Sequence, residues 1–247
     1  MRRILFHWFG KPIYSYPAML YIGLVFGVAA GNIAAHAAGV DALRVYIATI
    51  ILIPISIAGS RVLFVAVHWD RYRNDRGRIW DLTQGGMAQY GGLINVPLSI
   101  PLLAMLGIPF GKFWDISAFT MMVGMIFTRF GCLLNGCCSG RPSNSWISVY
   151  LPNHMGEWER RIPTQLLEAG WATLILFAAT QIWHKLPFDG ALFLFVASGY
   201  AAGRLIMESL RDLRSAGRKF TVQHAISLLI IALSVAAITG RALMNGS

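Results

Sequence analysis

The chain has 247 residues, of which 56% are hydrophobic and only 13% are charged. Soluble domains carry about a quarter of charged residues, so this composition excludes an ordinary soluble protein. A helix needs ~20 apolar residues to cross a bilayer, and apolar blocks of that length give about seven transmembrane helices. We predict an all-α integral membrane protein with a single transmembrane domain over residues 1–247.

The charge balance is basic, with 21 Lys and Arg against 11 Asp and Glu, which gives a net charge of +10. In a soluble protein such an excess would suggest a nucleic-acid partner, but the basic and aromatic modules of nucleic-acid binders are missing from this sequence. In a membrane protein, basic loops lie against anionic lipid headgroups. We therefore predict that the membrane is the partner and that nucleic acid is not.

The N-terminal segment MRRILFHWFGKP is basic and then apolar. Its apolar part is too short and too aromatic for the core of a signal peptide, so we interpret it as an interfacial segment that leads into the first span. The first span is predicted over residues 17–39 and the second over 43–67, with Pro54 inside the second. Membrane helices tolerate an internal proline.

The third apolar segment, residues 81–107, is interrupted by two glycine pairs and by Pro97 and Pro101. Irregular backbone at membrane depth is tolerated only where it is buried in protein or lines a wet cavity. We therefore predict a broken or re-entrant segment near residues 81–95.

The second half of the chain alternates further spans with two polar connections. Residues 135–162 form the long connection, and long loops in compact domains are usually functional. A basic linker over residues 211–219 precedes the last span. The spans are predicted over residues 114–134, 163–183, 190–208 and 222–238.

Ionisable residues inside spans are functional candidates, because each costs at least about 2.5–3.5 kcal/mol at mid-helix. The candidates are Arg61, Arg129, Glu168, Arg204 and Glu208. The alternative for the arginines is snorkelling towards a helix end.

Arg204 and Glu208 are four residues apart, so they share one helix face, and Arg211 continues that face. One interpretation is a structural ion pair that neutralises itself. The other is that Glu208 orients Arg204 towards an anionic ligand. Several inward guanidiniums favour a phosphate or phosphodiester, which arginine binds through two parallel hydrogen bonds.

The segment TRFGCLLNGCCSGR, residues 128–141, is dense in small and polar residues. Gly131, Gly136 and Gly140 allow a close approach of backbone or ligand. Asn135 can both donate and accept hydrogen bonds.

Cys132, Cys137 and Cys138 lie in the same segment, and an odd count leaves at least one thiol unpaired within the chain. Their CxxxxCC spacing lacks the paired CxxC of zinc sites, so we predict no metal and no cofactor. Two interpretations stay open. The cysteines are small packing residues, or a thiol near Arg129 is reactive because its pKa is lowered.

Four segments, taken in this order, resemble the prolipoprotein diacylglyceryl transferase family, and Gly59-Ser60-Arg61 fits a further family motif. They cover most of the chain. The segments are DLTQGGMAQYGGLIN at 81–95, TRFGCLLNGCCSG at 128–140, IPTQLLE at 162–168 and YAAGRLIMESLRD at 200–212.

Members of that family move the diacylglyceryl group of phosphatidylglycerol onto a cysteine thiol and release glycerol phosphate. The resemblance implies a transferase in the bacterial cytoplasmic (inner) membrane that acts in lipoprotein biosynthesis, with Arg129 and Arg204 holding the lipid phosphate. The substrate-binding residues that we predict are Arg61, Gly91, Gly92, Cys132, Asn135, Gly136, Gly140, Gln165, Glu168, Glu208 and Arg211.

The chain departs from the family pattern at four positions. A family histidine is replaced by Tyr90, whose unperturbed pKa of about 10 makes it a poor base. Cys132 and Cys137 replace a family asparagine and glutamate, and Ile162 replaces a second histidine. We therefore place Tyr90 and Cys137 with the two arginines as catalytic candidates, and we leave open whether the acceptor is a thiol or another nucleophile.

Two other functions stay open from the sequence. One is a non-catalytic phospholipid-binding or transport protein on the same fold. The other is a membrane enzyme that depends on its cysteines. A likeness of fold alone does not choose between them.

The orientation in the membrane also stays open. The N-terminal segment and the long cysteine-containing loop lie on the side that carries most of the Lys and Arg residues, and the positive-inside rule places that side in the cytoplasm. The family resemblance implies the opposite face. The less basic side carries Arg44, Lys112, Lys185 and Arg241.

Overall fold

The protein is described by a computed structural model over residues 3–73, 75, 77, 79, 88–152, 157–210 and 222–245. Its architecture is mainly helical, with two small antiparallel hairpins. The helices are α1 Ser15–Ala37, α2 Ala42–Val67, α3 Trp69–Tyr72, α4 Asn95–Leu106, α5 Phe110–Asn135, α6 Thr164–Ile182, α7 Ala191–Leu210 and α8 Val222–Asn245.

Among the described residues, six helices are long and apolar enough to cross a membrane, and a shorter apolar helical stretch covers Tyr90–Leu106. This confirms an all-α integral membrane protein with about seven helices. Large apolar side chains remain exposed along these helices, among them Ile33, Leu174 and Phe177. Their exposure suits a surface that faces lipid rather than water.

Two short hairpins add to the predicted helices. Strands β1 Ile4–Trp8 and β2 Lys11–Tyr14 form the N-terminal segment, and β3 Val149–Pro152 and β4 Trp158–Arg161 lie inside the long connection. The sequence analysis anticipated neither hairpin. Strands of four or five residues are too short for an apolar alternation to be read from the sequence.

The broken third segment is irregular where the structure describes it. A 3₁₀ helix over Gln89–Ile94 leads directly into α4, and residues 81–87 lie outside the described residues. The Gly91 backbone lies against the backbone of Ser60 on α2, and a Cβ on Gly59 would come within 2.5 Å of the Gly91 carbonyl oxygen. Glycine is therefore required on both sides of this contact.

Helix α1 packs against α5 through small residues. Gly23, Gly27 and Gly31 are buried at four-residue intervals on one face of α1. A Cβ on Gly27 would lie 2.7 Å from the carbonyl oxygen of Thr120. Small residues at this spacing let membrane helices approach closely and gain van der Waals contact.

Helix α5 also packs against α6 and α7, and a buried carboxylate fixes where α7 begins. Asp115 accepts hydrogen bonds from the backbone N–H groups of Gly190, at 2.8 Å, and Phe193, at 2.9 Å. The contact satisfies donors at the start of α7 and places a negative charge at the positive end of its dipole. Asp115 was not among the predicted ionisable candidates, and it lies close to the predicted start of its span.

We expect Gly27→Ala to destabilise the protein by about 1–3 kcal/mol, because the added methyl group forces α1 and α5 apart. Thermal unfolding in detergent measures the loss. The matched control is Gly170→Ala in α6, where an added Cβ has nothing within 4 Å. An equal Tm for the two variants would contradict the importance of the α1–α5 contact.

Candidate functional site

A buried carboxylate joins two arginines from different helices. Glu168 on α6 pairs through Oε2 with Nη2 of Arg129 on α5, at 2.5 Å. Its other oxygen, Oε1, accepts a hydrogen bond from Nη1 of Arg204 on α7, at 3.0 Å. The three side chains are 4–7% exposed. The sequence placed all three within spans, but only the fold shows that one carboxylate holds both guanidiniums.

The second carboxylate is on the same helix as Arg204. Nη2 of Arg204 lies 3.1 Å from Oε2 of Glu208, as the four-residue spacing predicted. We call the four side chains of Arg129, Glu168, Arg204 and Glu208 the Arg–Glu network. Because the arginines are buried, the snorkelling alternative is wrong for Arg129 and Arg204.

Two tyrosines border the Arg–Glu network. The hydroxyl of Tyr200 accepts a hydrogen bond from Nη2 of Arg129 at 3.4 Å. Tyr90 lies within electrostatic range of Arg204 and Glu208, and its hydroxyl lies 2.7 Å from Oγ of Ser227 on α8. Tyr200 was not among the predicted site residues, although its position four residues before Arg204 places both on one face of α7.

The Arg–Glu network combines two positive and two negative side chains, so it balances its own formal charge. Buried ion pairs need this balance because an isolated charge in the interior costs several kcal/mol. Nε of Arg204 has no hydrogen-bond partner among the described residues. The network therefore keeps a guanidinium donor that an anionic ligand could use.

The cysteine-containing segment begins where α5 ends. The helix stops at Asn135, and Gly136 adopts the left-handed conformation with φ +74°. The next two carbonyls are held by the first turn of α6. Nε2 of Gln165 donates to the carbonyl of Cys137 at 2.6 Å, and Oγ1 of Thr164 donates to that of Cys138 at 2.7 Å.

Gly140 lies at the end of the same segment and is closely surrounded by neighbouring backbone. A Cβ at this position would lie 2.8 Å from the carbonyl oxygen of Leu210 and 2.9 Å from that of Ile162. Nη1 of buried Arg161 donates to the Gly140 carbonyl at 2.9 Å. The segment is therefore fixed between α6, the end of α7 and the β3–β4 hairpin.

The three thiols converge. The Sγ atoms of Cys132, Cys137 and Cys138 all lie within 4.8 Å of one another, although Cys132 is buried and Cys138 is exposed. The pKa of Cys137 is raised. A hydrogen bond with Cys132 lowers it, but a hydrogen bond with Cys138 and burial together outweigh that contribution. The interpretation of a thiol with a lowered pKa is therefore wrong for Cys137.

Arg61 is buried on α2 and does not snorkel. Its side chain is 1% exposed, and Nε donates to the carbonyl of Ile79 at 2.6 Å. The guanidinium carbon lies 5.9 Å from the ring centre of Phe64 and 5.4 Å from that of Tyr72. These cation–π contacts stabilise the charge inside the protein.

The remaining candidates lie at contacts between backbone segments. Gly91 and Gly92 pack against α2, where a Cβ on Gly92 would lie 2.9 Å from Oγ of Ser56. Asn135 is the last residue of α5, directly before the left-handed Gly136. Arg211 lies outside the described residues. The roles of these residues in binding a substrate stay predictions.

Fold and site together define a helical membrane protein with a buried arginine–glutamate site and an adjoining thiol cluster. The family model for prolipoprotein diacylglyceryl transferase matches residues 3–239, so this chain belongs to that family, as the sequence resemblance predicted. Similar curated proteins are the phosphatidylglycerol–prolipoprotein diacylglyceryl transferases of Streptococcus pyogenes serotypes M5, M49 and M18. Each is 29% identical over 239 residues, which cover 91% of this chain and 87% of the relative.

We expect Glu168→Gln to lower the free energy of unfolding by about 3–5 kcal/mol, because it leaves two buried guanidiniums without their shared carboxylate. Unfolding in detergent, followed by loss of helical circular dichroism, gives the measurement. The control is Asp70→Asn, which removes an exposed partner 3.8 Å from Arg73 and leaves Tm unchanged. A similar Tm for both variants would mean that the buried pairs contribute no net stability.

Proposed function

We propose that this protein is a phosphatidylglycerol-dependent diacylglyceryl transferase of the bacterial cytoplasmic membrane. The observation that carries the proposal is the pairing of Arg129 and Arg204 on the two oxygens of Glu168, inside a chain of this family. The relatives are named for phosphatidylglycerol and prolipoprotein, which supports a phospholipid donor and a protein acceptor.

The proposed reaction exchanges one bond for another. The acceptor, a thiol or another nucleophile, attacks the diacylglyceryl carbon that carries the phosphate. A carbon–sulfur or carbon–heteroatom bond forms as the carbon–oxygen bond to phosphate breaks. The acceptor's proton passes to the phosphate group as it departs, and glycerol phosphate leaves as an anion. Negative charge therefore develops on the phosphate oxygens, where fixed guanidiniums lower the barrier most.

Glu168 acts as a positioning residue in this scheme. One carboxylate holds the two guanidiniums at fixed places before substrate arrives, so little reorganisation is needed when the phosphate anion forms. Nε of Arg204, which has no hydrogen-bond partner among the residues that the structure describes, offers a first contact for a phosphate oxygen. Tyr200 adds a hydroxyl beside Arg129. The same burial excludes water, which strengthens each of these interactions.

Tyr90 and Cys137 stay catalytic candidates on the evidence of their position. Tyr90 lies near Arg204 and Glu208, so its hydroxyl can hydrogen-bond with a group bound there. A neutral phenol is a poor base near pH 7. We therefore expect Tyr90 to orient the acceptor or the phosphate rather than to remove the acceptor's proton.

The charge balance of the Arg–Glu network favours one alternative, a phospholipid-binding protein that does not turn its lipid over. A network that neutralises itself is stable without a ligand and could hold a headgroup without promoting its departure. This alternative and the transferase predict the same lipid contacts and differ in whether glycerol phosphate is released.

We expect Arg204→Lys to slow glycerol phosphate release by ~10²–10³-fold, because lysine lacks the Nε donor proposed for the phosphate and the planar fork that contacts Glu168 and Glu208. The assay uses the full chain in phosphatidylglycerol nanodiscs with thiol-containing and hydroxyl-containing acceptor peptides. The matched control is Arg73→Lys, an exposed arginine on the surface, which should keep the wild-type rate.

Absence of glycerol phosphate release by the wild type with every acceptor would overturn the transferase proposal. If phosphatidylglycerol then co-purified with the wild type but not with Arg129→Lys, the non-catalytic binding function would replace it. Mass spectrometry of the acceptor identifies the modified atom and so decides between thiol and hydroxyl.

A further inference from the structure

We propose that Cys132, Cys137 and Cys138 form a zinc site with three thiolate ligands and one open coordination position. The inference goes beyond the transferase function and does not rest on it. It starts from the convergence of the three cysteines, which the CxxxxCC spacing alone did not predict.

The distances between the thiols suit a metal ion. Zinc–sulfur bonds are ~2.3 Å long in tetrahedral sites, which places pairs of sulfurs about 3.8 Å apart. All three Sγ atoms already lie within 4.8 Å of one another. Contraction of about 1 Å is within reach of small rotations of the cysteine side chains.

Hydrogen bonds to the backbone fix the positions of the three cysteines relative to one another. Cys132 is in the last turn of α5, and the N–H of Cys137 donates to its carbonyl at 3.1 Å. Gln165 and Thr164 fix the carbonyls of Cys137 and Cys138 from the start of α6. Metal sites typically have neighbouring residues whose hydrogen bonds fix the orientation of the ligand residues.

Cys138 supplies an independent observation. It adopts the left-handed conformation with φ +63°, which is unfavourable for a residue with a side chain. Such conformations persist where the surrounding structure imposes them, often at functional sites. Here the surrounding hydrogen bonds impose a turn that brings the thiol of Cys138 back beside those of Cys132 and Cys137.

The local electrostatics favour a divalent cation. Three thiolates and Zn²⁺ leave one net negative charge, whereas three thiolates and Cu⁺ leave two, and uncompensated charge is costly in a partly buried site. The C-terminal end of α5 carries the negative end of the helix dipole, which attracts a cation. Tyr16 lies within electrostatic range of all three thiols and of Arg129, so the site adjoins the Arg–Glu network.

Zinc binding is accompanied by the release of protons. Each cysteine enters as a thiol, and coordination of Zn²⁺ by three thiolates releases three protons to solvent.

The cluster provides three ligands, and among the described residues no fourth Cys, His, Asp or Glu belongs to it. Three protein ligands with an open fourth position are typical of zinc sites that take water or a substrate. The exposed Cys138 gives that position a route to solvent.

The test is metal analysis of the full chain, purified in detergent under reducing conditions without a chelator and then incubated with ZnSO₄. We expect about one zinc per chain. Titration with Co²⁺ in place of zinc should give thiolate-to-cobalt charge-transfer bands and the intense visible bands of a tetrahedral site. Bound zinc should also protect all three cysteines from alkylation, as read by mass spectrometry of the intact chain.

Cys132→Ser, Cys137→Ser and Cys138→Ser should each weaken zinc binding at least about tenfold. Ser145→Ala, in the same connection but outside the cluster, is the control that should bind zinc like the wild type. If a serine variant fails to fold, the cobalt spectrum and the alkylation pattern of the wild type decide alone.

The proposal is overturned if the wild type binds no more zinc than the triple serine variant, or if its cobalt complex lacks thiolate charge-transfer bands. It is also overturned if the reduced protein reoxidises in the presence of zinc to a form 2 Da lighter, because two of the thiols then form a disulfide. Glycerol phosphate release is not a readout in any of these experiments, so their outcome is separate from that of the transferase assay.

Discussion

The structure depends on one buried carboxylate. Glu168 places a negative charge between Arg129 and Arg204, and without it two guanidiniums from α5 and α7 would face each other in a medium that cannot screen them. The same contact ties three helices together. Stability and the arrangement of the candidate site therefore have a common cause, and any change at Glu168 affects both.

The surrounding fold makes that contact possible through small residues. Glycines on α1 let α5 approach, and Gly203 on α7 leaves space for the indole of Trp171, whose Nε1 donates to the carbonyl of Gly199 at 2.9 Å. Close packing of helices in a bilayer relies on such positions because apolar side chains gain nothing by leaving lipid. The arginine in Gly203-Arg204 reaches Glu168 from this closely packed interface.

The thiol cluster and the Arg–Glu network are both built on helices α5 and α6. Arg129 and Cys132 are three residues apart on α5, and Gln165 and Glu168 are three apart on α6, so each helix contributes to both groups of side chains. The first turn of α6 holds the carbonyls of Cys137 and Cys138 and leads directly into Glu168. The two groups of side chains therefore lie next to each other on the same two helices.

The sequence by itself determined the membrane class, the approximate spans, the family and the buried ionic residues, because apolar length and the cost of intramembrane charge are local properties. It did not determine that Glu168 bridges two arginines, that Tyr200 contacts Arg129, or that the two hairpins form. Nor did spacing reveal three converging thiols, since Cys138 turns back only through a left-handed backbone held by Thr164. The contacts of Glu168 and Tyr200 join residues on different helices, so only helix packing decides which of them meet, whereas the hairpins and the thiol cluster depend on local backbone conformation that the sequence pattern does not specify.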